Sequence, residues 1–435
     1  MTTQRRARDV LPQVLDELAR GPYPDYIDDV LAGTERTRQR PAWAFPERWL
    51  PMVDLARAPA FVPRVQWRAL SLALLLVALL LAALVAVYIG SQRPVPAPFG
   101  PARNGVIAYE TGGDIYTEDP ATGDATAIIT GPDDDVGPRF SLDGLRIVFE
   151  RRIDAARSQL YVAGSDGRAI TLITPEPLTL TPGTSGRAWE QYKFSPDGRT
   201  VLFSVLQRGL SVIAIANADG SGVRVLDVGM SATEPTFRPP NGAEILFVGS
   251  SATEAGLYAV EPASGTVREI LLIRSAEGIA GPSWSPDGSQ IAYWVWDTTV
   301  MGLSARSHVV NADGTDDRKL PSPPDSIWNA HATWSNDGTR LFVAHGFTSG
   351  MDDVRGWVLP ADGTKVGVEV APAGSVETEC CAAWLWSPDD SLILGRAAPL
   401  SSEPVPQIVI DVAAKSASPA RWTSASNPTW QRLAP

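Results

Sequence analysis

Cysteine and histidine are nearly absent from this 435-residue chain, which has only Cys380, Cys381, His308, His331 and His345. Two cysteines exclude a disulfide scaffold, and these two are neighbours. A disulfide wants Cα atoms about 5.5 Å apart, whereas consecutive residues sit about 3.8 Å apart. Two thiols are therefore expected, with a strained vicinal bridge as the alternative. Three scattered histidines have no metal-binding spacing, and strand-end or surface positions are expected for them. Also missing are a Gly-x-Ser-x-Gly elbow, a phosphate-binding glycine loop and a His-Glu-x-x-His helix, so common nucleotide, esterase and metallopeptidase chemistries find no motif. Charge is sparse too, at 20% of residues with a net of −12. That balance is a poor partner for nucleic acid, and with 37 Gly and 37 Pro it suits a turn-rich β protein with a large buried core.

What is present is a phrase that keeps returning. Trp284-Ser285-Pro286-Asp287-Gly288 and Phe194-Ser195-Pro196-Asp197-Gly198 are its best copies, and weaker ones begin at Phe140, Phe237, Trp334 and Trp386. These aromatics lie 54, 43, 47, 50 and 52 residues apart. A period of that length marks one supersecondary unit repeated in an array. Pro presets φ at the second turn position, Asp caps its own backbone and Gly accepts positive φ. Alternating apolar pairs follow each turn, such as Ile147/Phe149, Val201/Phe203 and Ile291/Tyr293, the pattern of a β-hairpin. A third strand, a second turn (Asp166-Gly167, Asp219-Gly220, Asp313-Gly314, Asp362-Gly363) and a fourth short strand complete one propeller blade.

The chain ends complement each other. Trp430 starts a blade that goes no further, while Asn104 to Tyr109 begins after the turn without a first strand. The last strand is expected to complete the first blade, giving seven blades and no open sheet edge. Asp390 in place of the turn glycine and Gly395 in the slot of Tyr293 are expected to weaken the blade near Trp384.

The aromatic-Ser-Pro-Asp-Gly phrase resembles the TolB-like family of WD40-like (PD40) propeller repeats over residues 104–435. The resemblance implies an all-β propeller. TolB itself is described with six blades, so a six-bladed ring is the alternative to the seven counted here.

Before the repeats, Leu70 to Ile89 is a run of 20 residues without a charge, between Arg68 and Arg93. At about 1.5 Å per residue it matches roughly 30 Å of hydrocarbon, and it is too long and too far into the chain for a cleaved signal peptide. Residues 1–68 hold eleven Arg and nine Asp/Glu, a net of +2 that leaves −14 for the rest. Positive charge before the span places the N-terminus in the cytoplasm. The expected layout is an Arg-rich, partly helical cytoplasmic tail over 1–68, a transmembrane helix over 69–90, a linker over 91–103 and an extracytoplasmic propeller over 104–435 at the cell membrane. Val10, Leu11, Val14, Leu15 and Leu18 form a helical stripe, and Ile27, Val30 and Leu31 a second. Residues 9–31 are either a membrane-hugging tail or a dock for a cytoplasmic partner. A propeller outside and a helical tail inside resembles membrane-bound anti-sigma factors, although residues 1–68 lack their zinc-binding His and Cys.

No catalytic residue and no cofactor are assigned from the sequence. Asp133, Asp134 and Asp135 offer hard oxygen ligands and form the candidate calcium site, although one short loop falls short of the roughly six to eight ligands calcium takes. Asn311, Asp313 and Asp317 resemble the start of a calcium loop, yet Asp313-Gly314 is the recurring hairpin turn. The long second-to-third loops and blade connections gather on one face, with Trp189, Trp328 and Trp357 beside them; these indoles are expected to pack more than to bind. Binding of a protein, peptide or glycan on that face is the expected role. The alternative is a metal-dependent polysaccharide lyase or hydrolase, which requires His or carboxylates converging on the axis.

Overall fold

The structure, a computed structural model, describes residues 71, 74–79, 99–180, 192–251, 254–273, 276–299, 304–347, 353–371, 383–396, 408–420 and 428–434. The tail over 1–68, Trp189, Cys380 and Cys381 lie outside them. Of the apolar run, residues 71 and 74–79 are helical and exposed. Among the described residues no helix is long and apolar enough to cross a membrane.

Twenty-eight strands form seven four-stranded antiparallel sheets. Blade 1 is composite. Its inner strand is β28 (Thr429–Leu433), followed by β1 (Arg103–Thr111), β2 (Asp114–Glu118) and β3 (Ala125–Ile129). Ile107 pairs with Trp430 and Arg103 with Leu433, so the expected closure by the last strand is present and the six-bladed alternative is ruled out. Blade 2 is β4 (Asp134–Phe140), β5 (Arg146–Arg152), β6 (Ser158–Gly164) and β7 (Thr171–Leu172). Blade 3 is β8 (Tyr192–Phe194), β9 (Thr200–Gln207), β10 (Leu210–Asn217) and β11 (Val223–Leu226). Blade 4 is β12 (Ser231–Phe237), β13 (Ile245–Ser250), β14 (Ala255–Val260) and β15 (Val267–Leu272). Blade 5 is β16 (Glu277–Trp284), β17 (Gln290–Asp297), β18 (Arg306–Asn311) and β19 (Arg318–Lys319). Blade 6 is β20 (Trp328–Trp334), β21 (Arg340–Gly346), β22 (Val354–Pro360) and β23 (Val368–Ala371). Blade 7 is β24 (Ala383–Trp386), β25 (Leu392–Arg396), β26 (Ile408–Asp411) and β27 (Ser416–Pro419).

The repeated phrase is a hydrogen-bonded device as well as a turn. Ser195 Oγ donates to Asp197 (2.6 Å) and accepts from the Thr200 amide (3.0 Å), while the Arg199 amide donates to the same carboxylate (3.0 Å). Ser285, Ser335 and Ser387 repeat this with Asp287, Asp337 and Asp389. Burial raises the pKa of each of these carboxyls, but the hydrogen bonds from Ser and backbone outweigh it and hold Asp197, Asp287, Asp337 and Asp389 below the usual range.

Two of the leading aromatics clasp the preceding blade. Trp386 donates its indole N–H to the Thr333 carbonyl (3.0 Å) under the Arg340 guanidinium (5.0 Å), and Trp334 donates to Ser283 (3.3 Å). Core clusters accordingly span neighbouring blades: Phe342 and Val354 of blade 6 pack with Trp386, Ile393 and Ile410 of blade 7. Burying such side chains is worth about 1.5–3 kcal/mol each, so neighbouring blades stabilise one another.

One departure from the phrase behaves otherwise than expected. Asp390 sits at φ 60° with its side chain buried. It accepts from the Asn336 amide (2.7 Å), Asn336 Nδ2 (2.8 Å) and the Asp337 amide (2.9 Å). The residue that was expected to weaken blade 7 ties it to blade 6.

Candidate functional site

The compact turns of the phrase lie on one face, and the second-to-third loops with the blade connections lie on the other. Loop length on that second face is uneven. Blades 1 and 3 close β1–β2 and β9–β10 with the two-residue turns Gly112-Gly113 and Arg208-Gly209, whereas blade 5 runs from Asp297 to Arg306 between β17 and β18.

Beside the longer loops stands an aromatic cluster. Trp294 and Trp296, at the end of β17, lie 4.8 Å apart between ring centroids. The His331 ring meets Trp294 edge-on at 5.1 Å. His331 is on the inner strand β20 at a bulge between Ala330 and Thr333, with φ 63°. The same bulge recurs at Gly137, Glu234 and Gly281. A left-handed backbone favours glycine, so Glu234 and His331 are positions where a side chain is kept against strain. Glu234 accepts from the Gly281 N–H of the next blade at 2.7 Å. Sequence reading missed this register because the bulge precedes the conspicuous phrase by three residues.

Of the indoles expected to pack, Trp328 and Trp357 are among the described residues. Trp328 is buried, and a Cβ at Gly346 would come within 1.9 Å of its ring, so it is a packing residue. Trp357 and Trp296 are half-buried. The face also exposes large aliphatic side chains: Ile153 (47%), Leu206 (46%), Leu210 (52%) and Ile327 (40%).

Each histidine has a structural setting. His308 Nδ1 lies 3.1 Å from Asp317, which also accepts from the Tyr293 hydroxyl at 2.6 Å. Burial raises the Asp317 carboxyl, but these two hydrogen bonds prevail and lower it. Asp317 is thereby committed to this clamp and not to a calcium loop, while Asp313 caps Thr315 within the turn. His345 is fully buried, with Nδ1 3.2 Å from Ser326 Oγ and Trp357 edge-on at 6.1 Å.

Burial lowers His345 to about 3, which gives an acid signature. The folded pKa lies below the unfolded value of about 6.5. This contribution to stability is therefore full above that value and is lost as pH falls toward 3, at about 1.4 kcal/mol per pH unit. Urea unfolding at pH 7 and pH 5 should show a loss of about 2 kcal/mol that His345→Gln largely removes. An unchanged acid limb in that variant would overturn the assignment.

The three candidate calcium ligands face arginine. Asp135 is buried and pairs with Arg151 through both oxygens (2.7 and 2.8 Å). Asp133 reaches the same guanidinium at 3.0 Å and Asp134 reaches Arg152 at 3.2 Å. Among the described residues no group of three or more His, Cys, Asp or Glu is placed to hold a metal ion. The inner-strand position before each aromatic carries Arg139, Lys193, Thr236, Ser283, Thr333, Leu385 and Thr429, none of them an acid or an imidazole. Glu234 and His331 stand on blades 4 and 6, with blade 5 between them.

No protein-family model matches the chain. Among solved structures, an oligogalacturonate lyase in complex with manganese aligns over 73% of this chain and 85% of that one, at 16% identity and a TM-score of 0.53. The oligogalacturonate lyase of Vibrio parahaemolyticus aligns over 73% and 86%, at 16% identity and 0.52. TolB from Acinetobacter baumannii aligns over 77% and 81%, at 14% identity and 0.46. Identities this low establish the fold alone: the chain carries a seven-bladed β-propeller.

Proposed function

We propose that this is a single-pass membrane protein, N-terminus inside, whose propeller stands outside the cytoplasm and binds a protein or peptide through its loop-rich face. The observation that carries the partner is the exposure of Ile153, Leu206, Leu210 and Ile327 beside the loops of that face, since binding usually resides on surface loops of a rigid scaffold. The charge-free run from Leu70 to Ile89 and the arginines before it support the anchor and its sidedness. The lyase reading has a specific observation behind it, the likeness to the manganese-bound oligogalacturonate lyase. The described residues do not fit such a metal, so no step is derived through one.

The test places a photo-crosslinking phenylalanine analogue at position 210 or 327 in intact cells, with position 145 on the opposite face as control. Leu145 is exposed too, at 40%. Discrete adducts are expected from 210 and 327, absent from 145 and lost when Leu206→Glu is added to the 210 sample. Adducts from 145 alone, or none from 210 and 327, would overturn the assignment of the face. Turnover of oligogalacturonate with added manganese by the purified chain would favour the lyase instead. Protease added to intact cells should degrade residues 104–435; their survival would overturn the sidedness.

A further inference from the structure

At their outer edge neighbouring blades are joined by close turn-to-strand contacts at five of the seven seams, and these are absent between blades 6 and 7 among the described residues. At five consecutive seams, the third-to-fourth turn of one blade rests on the outermost strand of the blade before it. Gly167 and Gly220 fit so closely that a Cβ would come within 2.0 Å and 2.7 Å of the Ile128 and Leu172 carbonyl oxygens. Arg224, Arg268 and Arg318 then donate to the carbonyls of Pro262 (2.5 Å), Ala312 (3.0 Å) and Ala361 (3.3 Å). At the next seam, between blades 6 and 7, both parts of the seal are missing. The outer strands read Val223-Arg224-Val225 and Val267-Arg268-Glu269 where the hook exists, but Val368-Glu369-Val370 in blade 6. A carboxylate cannot donate to a carbonyl. The facing turn of blade 7 is Val412-Ala413-Ala414-Lys415, with no glycine to allow close approach.

A cleft of about 490 Å³ stands in that place, within the roughly 300–1,000 Å³ of small-ligand sites. Its walls are aliphatic, with Val358, Val368 and Val370 on one side and Val412 on the other. Val368 is 47% exposed, the most exposed valine of the propeller's strands. The rim is cationic. The chain has four lysines, Lys193, Lys319, Lys365 and Lys415, and two of them line this cleft. Arg340 also lines it, but its guanidinium stacks on Trp386 (5.0 Å) and pairs with Asp337 (3.6 Å). Lys365 and Lys415 are exposed. Asp362 lies within electrostatic reach of Lys365, and no carboxylate lines the cleft.

We infer that this seam is a binding site for an aliphatic carboxylate, the chain inserted between blades 6 and 7 and the acid held by Lys365 and Lys415. An apolar slot closed at its mouth by two ammonium groups, on a protein of net −12, selects a single apolar chain with an anionic end. The slot opens on the face of the compact turns, opposite the loop-rich face, so occupant and protein partner do not compete.

The test uses the full chain in zwitterionic lipid vesicles with a diazirine-bearing dodecanoate as the probe. Irradiation should label the peptides containing Val368 and Val412, saturably, with competition by dodecanoate and not by dodecanol. The double variant Lys365→Glu/Lys415→Glu should weaken labelling about tenfold, the scale of a lost charge-assisted contact, and Val368→Asp should abolish it. These three side chains are exposed, so circular dichroism is expected to remain unchanged. Label scattered over other surfaces, equal competition by dodecanol, or undiminished labelling in the double variant would each overturn the site. Capture of an anionic phospholipid probe in preference to the free acid would assign the cleft to the membrane and overturn the occupant.

Discussion

Deleting residues 429–435 should abolish the cooperative unfolding transition of the propeller. The missing segment, β28, is the inner strand of blade 1 and pairs with β1 from Arg103 to Ala108. Trp430 is buried among Ile107, Tyr109 and Leu394, so truncating it to alanine alone should cost about 3–5 kcal/mol. The same strand bolts three blades together. Gln431 Nε2 donates to the Gly144 carbonyl of the blade 2 turn (2.7 Å), and Arg432 donates to Asn336 Oδ1 in blade 6 (2.8 Å). Losing all of this exceeds what a fold stable by about 5–15 kcal/mol withstands, and it exposes β1 as an unpaired edge that invites self-association. Urea titration followed by tryptophan fluorescence should show a broad, non-cooperative change in the deletion. Trp430→Phe should retain a sharp transition at lower urea. A deletion that unfolds as sharply as the parent would show that the ring is not held by its ends.

The blade count and closure were legible because each rests on local chemistry repeated at a period. An aromatic opens each of the six copies of the phrase, and five of the six carry the Ser-x-Asp pair and five the glycine. Trp430 was readable as a lone first strand, and Ile107 as its partner, from the slots they fill in the repeat. The acid cluster was legible as charge but not as pairing, because Arg151 and Arg152 lie on the next strand, with Asp135 opposite Arg151 and Asp134 opposite Arg152; only the hairpin register reveals it. His331 hid for a related reason. Its left-handed backbone is set by a bulge whose other occupants are Gly137, Glu234 and Gly281, a mixture that no residue-type search would align. The exposure of Leu206 and Leu210 was not legible in the sequence. A two-residue hairpin, Arg208-Gly209, leaves both outside the core, and exposure there follows from the blade's length beyond its neighbours, which is a tertiary property.

Asp390→Gly, which restores the consensus turn of the repeat, should destabilise the protein by about 2–3 kcal/mol. The repeat alone argues the reverse, since φ 60° strains a non-glycine residue by about 1 kcal/mol or more. Two departures from the phrase decide the matter. Asn336 stands where blades 3 and 5 have Pro196 and Pro286, and it supplies the backbone N–H that proline lacks; Asp390 stands where they have Gly198 and Gly288, and it supplies the acceptor. Each is anomalous alone and explained by the other. The carboxylate takes three N–H groups from Asn336 and Asp337, bonds to a charged group worth about 1.5–3 kcal/mol each before non-additivity. Asn336 in turn holds Arg432, whose burial depresses its pKa while Asp390 opposes that shift. Removing Asp390 takes away a negative charge that favours the charged form of this mostly buried guanidinium, and breaking one member of such a network is costly. Asn336→Pro should be destabilising for the same reason. The double variant Asn336→Pro/Asp390→Gly should cost at least about 1 kcal/mol less than the sum of the two, the signature of residues that act as a pair. Additive losses in that cycle, or a stabilised Asp390→Gly protein, would show that the two departures are unrelated and that blade 7 is held to blade 6 by its tryptophan alone.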